Sequence, residues 1–238
     1  MLLIIVALWG CDENMEFPPE PAISFESILW QPGTNGSDSL VLTFYFEDGD
    51  ADLGLYQDEV DAPYHPFDLV VDANNELVTI SSEVDPPFYS LTPEGTRVPF
   101  SIRDVRMKYD ERNYLLVDSA NAANTNAFDT LLIRRNVFHN NIYLKCFKKE
   151  DGAYQVCDDF YPEGERQIVG RFPRVDPIFN QQPPLGKVSF QFAARDFLRV
   201  VRADTFRFQF HIFDRELNQS NLATSPDLTI VDMIRTSN

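Results

Sequence analysis

Apolar and polar residues alternate most cleanly near the C-terminus. In "TFRFQFHIF", Phe206, Phe208 and Phe210 fall on one face and Arg207, Gln209 and His211 on the other. That period of two is the mark of a half-buried strand. Similar runs recur along the chain: "AISFESILW", "SLVLTFYFED", "FDLVVD", "ELVTISS", "RVPFSIRDVRM", "FDTLLIRRNVF", "IYLKCFKK", "YQVCDDFY", "KVSFQFAAR" and "DLTIVDMI". Between them lie turn-forming clusters such as "QPGTNGSD", "DPPFYSLTPEGT", "NAANTNA", "YPEGE" and "NQQPPLG". No stretch of helical length carries an amphipathic helical period, and no internal repeat is visible. The pattern predicts an all-β protein, an immunoglobulin-like antiparallel β-sandwich with aligned sheets.

Such a domain ordinarily has about 100 residues, and this chain has 238. Strands within 22–47 and 187–233 read as the outer parts of one extended sandwich spanning 22–238. The region between, at about 64–186, reads as an insertion of extra strands and a hairpin. Composition strengthens the β reading, with 20 Phe and 9 Tyr in a chain that is 44% hydrophobic.

The N-terminus has a different character. "MLLIIVALWGCDENMEFPPEP" joins a short apolar run to acidic, proline-rich sequence. Ten helical residues reach about 15 Å, half of a bilayer core of about 30 Å, so residues 1–10 cannot span but fit the apolar part of a secretion signal. The basic residues usual before such a run are missing, so the natural start is expected upstream. Leu8-Trp9-Gly10-Cys11 resembles a bacterial lipobox, with Trp9 where a small or aliphatic residue is usual. The resemblance implies a lipid on Cys11, an 11–21 tether and a membrane partner. Asp12, Glu13 and Glu16 resemble the acidic export signals of surface lipoproteins in Bacteroidota.

A formal charge of −17 repels nucleic acid and anionic lipid, so neither is expected as a partner. It suits divalent cations, an envelope protein partner or a neutral glycan. Catalytic signatures are lacking: His65, His139 and His211 are scattered, and there is no nucleophile elbow, phosphate loop or dinucleotide fingerprint. No catalytic residue is assigned.

Cys146 and Cys157 flank Asp151-Gly152, a strong two-residue hairpin signal. Folding about that turn opposes Glu150 with Ala153, Lys148 with Gln155 and Cys146 with Cys157. Opposed residues sit about 4.5–5.5 Å apart, within disulfide reach. A structural disulfide is expected, the alternative being two reduced buried cysteines.

The remaining chemistry is acidic. "FEDGDADLGLYQDE" places Asp48, Asp50 and Asp52 at alternate positions after a strand, with Glu59 twelfth from Asp48. An EF-hand would need Gly, not Leu53, at the sixth position, and flanking helices. Two readings stay open: side chains folded onto their own backbone as Asx turns, or a calcium site in a β-loop. If "SLVLTFYF" is the second sandwich strand and "TFRFQFHIF" the sixth, their outgoing loops share one end. Asp214, Asn218 and Asn221 then face Asp48, Asp50 and Asp52 across a shared Ca²⁺, unless Arg215 pairs with the acids instead.

These two loops carry a wider likeness. "LTFYFEDGDADLGL" and "TFRFQFHIFDRELNQSN" resemble the Asp-Gly-Asp-x-Asp-Leu-Gly-Leu and Asp-Arg-x-x-Asn-x-Ser-Asn segments of a family of Bacteroidota envelope lipoproteins of unassigned function. Ala51 stands where that family has a second glycine. The resemblance implies an outer-membrane lipoprotein with an immunoglobulin-like fold and no defined reaction. Ser39, Ser119 and Thr130 lie in Asp-Ser/Thr-x triplets resembling O-glycosylation sites of exported Bacteroidota proteins. The function expected is a non-enzymatic interaction or accessory module of an envelope complex. The alternative is a surface lipoprotein that captures polysaccharide.

Overall fold

Period-two alternation is what the chain uses to build its core. The computed structural model describes residues 17–34, 38–79, 86–100, 114–117, 129–157, 167–175, 185–194 and 205–235; Cys11 and Ser119 lie outside them. The described residues form thirteen strands: β1 (Ala22–Gln31), β2 (Ser39–Glu47), β3 (Phe67–Val71), β4 (Phe88–Leu91), β5 (Arg97–Phe100), β6 (Tyr114–Val117), β7 (Asp129–Arg135), β8 (Ile142–Glu150), β9 (Ala153–Val156), β10 (Ile168–Gly170), β11 (Leu185–Ala193), β12 (Phe206–Ile212) and β13 (Ala223–Thr224). A short helix, α1 (Ile230–Arg235), follows. Among the described residues no helix is long and apolar enough to cross a membrane.

One sheet has the order β1-β2-β11, a second β10-β8-β12-β13 with β9 also on β8, and a third β5-β4-β3-β7-β6. Strand pairing is antiparallel throughout these sheets. The chain is thus all-β, and its first two sheets form a sandwich. Leu40, Leu42, Phe44 and Phe46 of β2 face Ile142, Leu144 and Cys146 of β8 and the phenylalanines of β12 in one buried cluster. Phe44 meets Phe210 at 5.4 Å and the edge of Phe172 at 5.8 Å between ring centroids. Each such ring contributes about 1.5–3 kcal/mol through burial.

The boundaries expected for the insertion shift. Only the third sheet, β3–β7, stands outside the sandwich, whereas the cysteine hairpin belongs to it. The reason is the alternation Ile142, Leu144, Cys146, which gives β8 an apolar face that pairs with β12 from Ile142↔Ile212 to Lys148↔Phe206. A second expectation fails at "DLTIVDMI", which forms α1 instead of a strand. Thr229 N–H and Oγ1 both donate to the Asp232 carboxylate at 2.7 Å, a capping contact that starts a helix and outweighs β-branched propensity.

The hairpin turns at Asp151 (φ 49°) and Gly152 (φ 82°), in the register expected from Glu150↔Ala153 to Phe147↔Val156. Yet the expected disulfide is not formed. Cys146 and Cys157 remain two buried thiols in contact, their sulfurs 3.0 Å apart. Burial pushes the Cys146 thiol well up, and the neighbouring Cys157 adds to this, which starves the thiolate that disulfide exchange needs. Iodoacetamide is therefore expected to modify these two cysteines only after denaturation; rapid labelling of either in the native protein would contradict their burial.

Candidate metal centre

The strands β2 and β12 lie in opposite sheets and deliver their outgoing loops to the same end of the sandwich. Both loops are built alike. Asp48 Oδ2 accepts the N–H of Asp52 at 2.9 Å, and Asp214 Oδ1 accepts that of Asn218 at 2.7 Å. The residue before each donor is left-handed, Ala51 at φ 57° and Leu217 at φ 70°. Its N–H reaches back to the carbonyl of the leading aspartate, at 3.3 and 3.4 Å respectively. "DGDAD" and "DRELN" are two copies of one turn.

Facing each other, the loops gather Asp48, Asp50, Asp52 and Asp214, whose carboxylates each offer an oxygen within 4.8 Å of all the others. Asp48 is 0% and Asp214 2% exposed. Asp48 Oδ1, Asp52 Oδ1 and Asp214 Oδ2 are buried with no hydrogen-bond partner. Each leading aspartate therefore divides its labour: one oxygen closes its own turn, the other is left over. The turn reading and the cation reading apply to different oxygens of the same side chains. Leaving such an oxygen buried and unmatched is expensive unless something pairs with it.

Electrostatics sharpens this. Burial, then the charge of Asp50, pushes the Asp48 carboxyl up to about 7. Burial, then Asp214, raises Asp52 to about 6, against backbone N–H groups of Arg215 and Glu216 that favour its ionised form. Burial likewise raises Asp214. Arg215 does not neutralise the group: it pairs with Glu59 at 2.5 Å and lies over the Tyr64 ring. Tyr64 in turn donates to the Arg215 carbonyl at 2.6 Å. Arg171 braces the segment behind, donating to the carbonyls of Tyr56, Glu59, Tyr64 and His139.

An oxygen-only donor set suits a hard cation. Ligands on opposite sides of Ca²⁺ lie up to about 5 Å apart, against about 4 Å for Mg²⁺. Oxygens that all lie within 4.8 Å of one another fall inside the span of a calcium shell.

Of the residues expected here, the four aspartates converge and the two asparagines take other roles. Asn218 serves Asp214, through its N–H, its carbonyl and its side chain. Asn221 serves Ile23, accepting from its N–H at 2.7 Å and donating to its carbonyl at 2.9 Å. Sequence reasoning missed Arg171, for which no local signal exists, and the contact of Gly49 with Pro18, whose N–H···O distance is 2.9 Å. Ser39 sits inside the sheet, paired on both sides, and its Oγ accepts from Gln191 at 2.8 Å. Thr130 lies in β7.

Ala51 tests the backbone side of this geometry. A left-handed alanine costs about 1–2 kcal/mol, partly offset in Ala51→Gly by a looser unfolded chain. The variant is expected to melt about 1–3 °C higher, a shift of up to about 1 kcal/mol at this chain length. A lower melting temperature would show that the alanine is unstrained.

Comparisons with protein-family models, with characterised proteins and with solved structures return no match to this chain.

Proposed function

We propose that this chain is a non-enzymatic, lipid-anchored envelope protein, an interaction or accessory module whose sandwich loops share one Ca²⁺. The observation that carries the cation is the set of three buried carboxylate oxygens without a partner, drawn from both loops. Calcium would be held by Asp48, Asp50, Asp52 and Asp214 and would supply charge neutralisation and a cross-link between the sheets. Support for an immunoglobulin-like fold comes from strand order: β1-β2-β11 against β8-β12-β13 follows the A-B-E and C-F-G arrangement of that fold, with the third sheet inserted between the second and third sandwich strands. Support for the anchor is "LLIIVALWGC" followed by an acidic tether; stable attachment needs more than one acyl chain.

Calorimetric titration with calcium is expected to give one site per chain, with magnesium binding far more weakly. No heat and no rise in melting temperature at millimolar calcium would sink the metal reading. Metabolic labelling with an alkyne fatty acid should mark the wild type and not Cys11→Ser; equal labelling of both would remove the anchor.

A second reading, glycan capture, is favoured by one observation. The outer face of the first sheet carries Thr43, Ser189, Gln191 and a partly exposed Tyr45 (43%), whose ring lies under Lys187 at 4.3 Å while that lysine pairs with Glu26 at 2.7 Å. It is a hydroxyl-rich strip whose ion pair is self-neutralised, on a chain of charge −17. Binding of neutral polysaccharide that is lost in Tyr45→Ala would establish it; glycan arrays without a hit would dismiss it.

A further inference from the structure

The two loops do more than face each other: each also grips the incoming chain. Gly49, between Asp48 and Asp50, donates its N–H to the Pro18 carbonyl at 2.9 Å. A Cβ at that position would lie 2.1 Å from the Phe17 carbonyl oxygen and 2.7 Å from that of Pro18. Only glycine allows so close an approach. From the other loop, the Asn221 amide satisfies both backbone groups of Ile23, and Pro21 between them is buried.

We infer that the cation site is a clasp for the N-terminal segment: calcium joining the two loops fixes residues 17–21 onto the sandwich at the entry to β1, and its loss releases them. This rests on the calcium reading above. The physical reason is a closed circuit. One side runs from Pro18 through Gly49 to Asp48 and Asp50; the other runs from Ile23 through Asn221 and Asn218 to Asp214. A cation bridging the carboxylates closes it. Without one, four aspartates within 4.8 Å repel one another, and the ties left between the loops are the Arg215 and Glu216 N–H groups on Asp52 and the Arg215–Glu59 pair.

Release changes reach. An extended residue spans about 3.3–3.6 Å, so freeing residues 17–21 adds up to about 17 Å to the 11–17 stretch behind Cys11. Calcium then sets how far from its anchor, and how freely, the sandwich can meet a partner, which acts through effective concentration.

Hydrogen exchange of the full chain, with calcium or with chelator, reads the clasp directly at the Ile23 and Gly49 amides. Calcium is expected to slow both at least tenfold. Asn221→Ala should keep one calcium per chain by calorimetry and lose the slowing at Ile23 while keeping it at Gly49. Calcium binding with unchanged exchange at both amides overturns the clasp and leaves the metal site standing. No calcium binding removes the metal site, and the clasp with it. Equal slowing at Ile23 in wild type and Asn221→Ala would also overturn it, since the protection would then be general stabilisation.

Discussion

Asp48→Asn is expected to abolish the calcium response and, in chelator, to melt higher than the wild type. For the wild type, calcium at one hundred times its dissociation constant adds about 2.7 kcal/mol. At 238 residues, 1 kcal/mol corresponds to about 2–4 °C, so the expected rise is about 5–10 °C. The variant loses it because a buried carboxylate oxygen becomes an amide nitrogen that cannot ligate a cation. The gain in chelator comes from the same exchange. The Asn carbonyl can still accept from Asp52 N–H, now 2.9 Å from Oδ2, while the amide N–H₂ can donate into the oxygens of Asp52 and Asp214 that have no partner. Differential scanning fluorimetry with and without calcium decides it. A calcium shift preserved in Asp48→Asn would mean the cation, if any, binds elsewhere.

This opposite response is the diagnostic. A purely structural Asx turn would be indifferent to calcium, and Asp48→Asn would leave it almost unchanged, because either side chain closes the turn. A site designed around a cation is destabilised by its own ligands when the cation is gone.

The sandwich was legible because its signal is local and periodic. Phe206, Phe208 and Phe210 alternate in sequence and are fully buried in space, and nothing long-range is needed to read that. Placing Asp214 beside Asp48 needed one topological step, the shared end of the second and sixth strands, and that step sufficed. What sequence could not supply was the division of each side chain's atoms. Asn218 and Asn221 have the right composition for ligands, yet one is drawn to Asp214 and the other to Ile23, choices made by backbone placement over 198 positions in the second case. Thr229 and Asp232 did carry a local capping signal, which the β-branched run around them masked. Arg171 was out of reach altogether, since its partners are main-chain carbonyls, which every residue possesses.

Raising the pH from 4 to 8 in chelator is expected to lower stability by way of this cluster. The unfolded carboxylates ionise near 3.8, whereas in the folded chain Asp48 waits until about 7 and Asp52 until about 6. Between those values the native state holds protons that the unfolded state has released, so stability is fully present below 3.8 and drains away as pH climbs through the folded values. His139 and His211 act in the other direction: burial lowers both, so they withdraw stability as pH falls through the ordinary histidine range. The cluster's share is therefore read as the difference between wild type and Asp48→Asn across the series, in which the histidines cancel. With calcium the sign inverts. Cation and proton compete for the same oxygens, so the calcium-induced rise in melting temperature is expected to be small at pH 5 and to grow through pH 6–7. A calcium shift independent of pH over that window would exclude Asp48 and Asp52 as the ligands, because each must lose its proton there to bind.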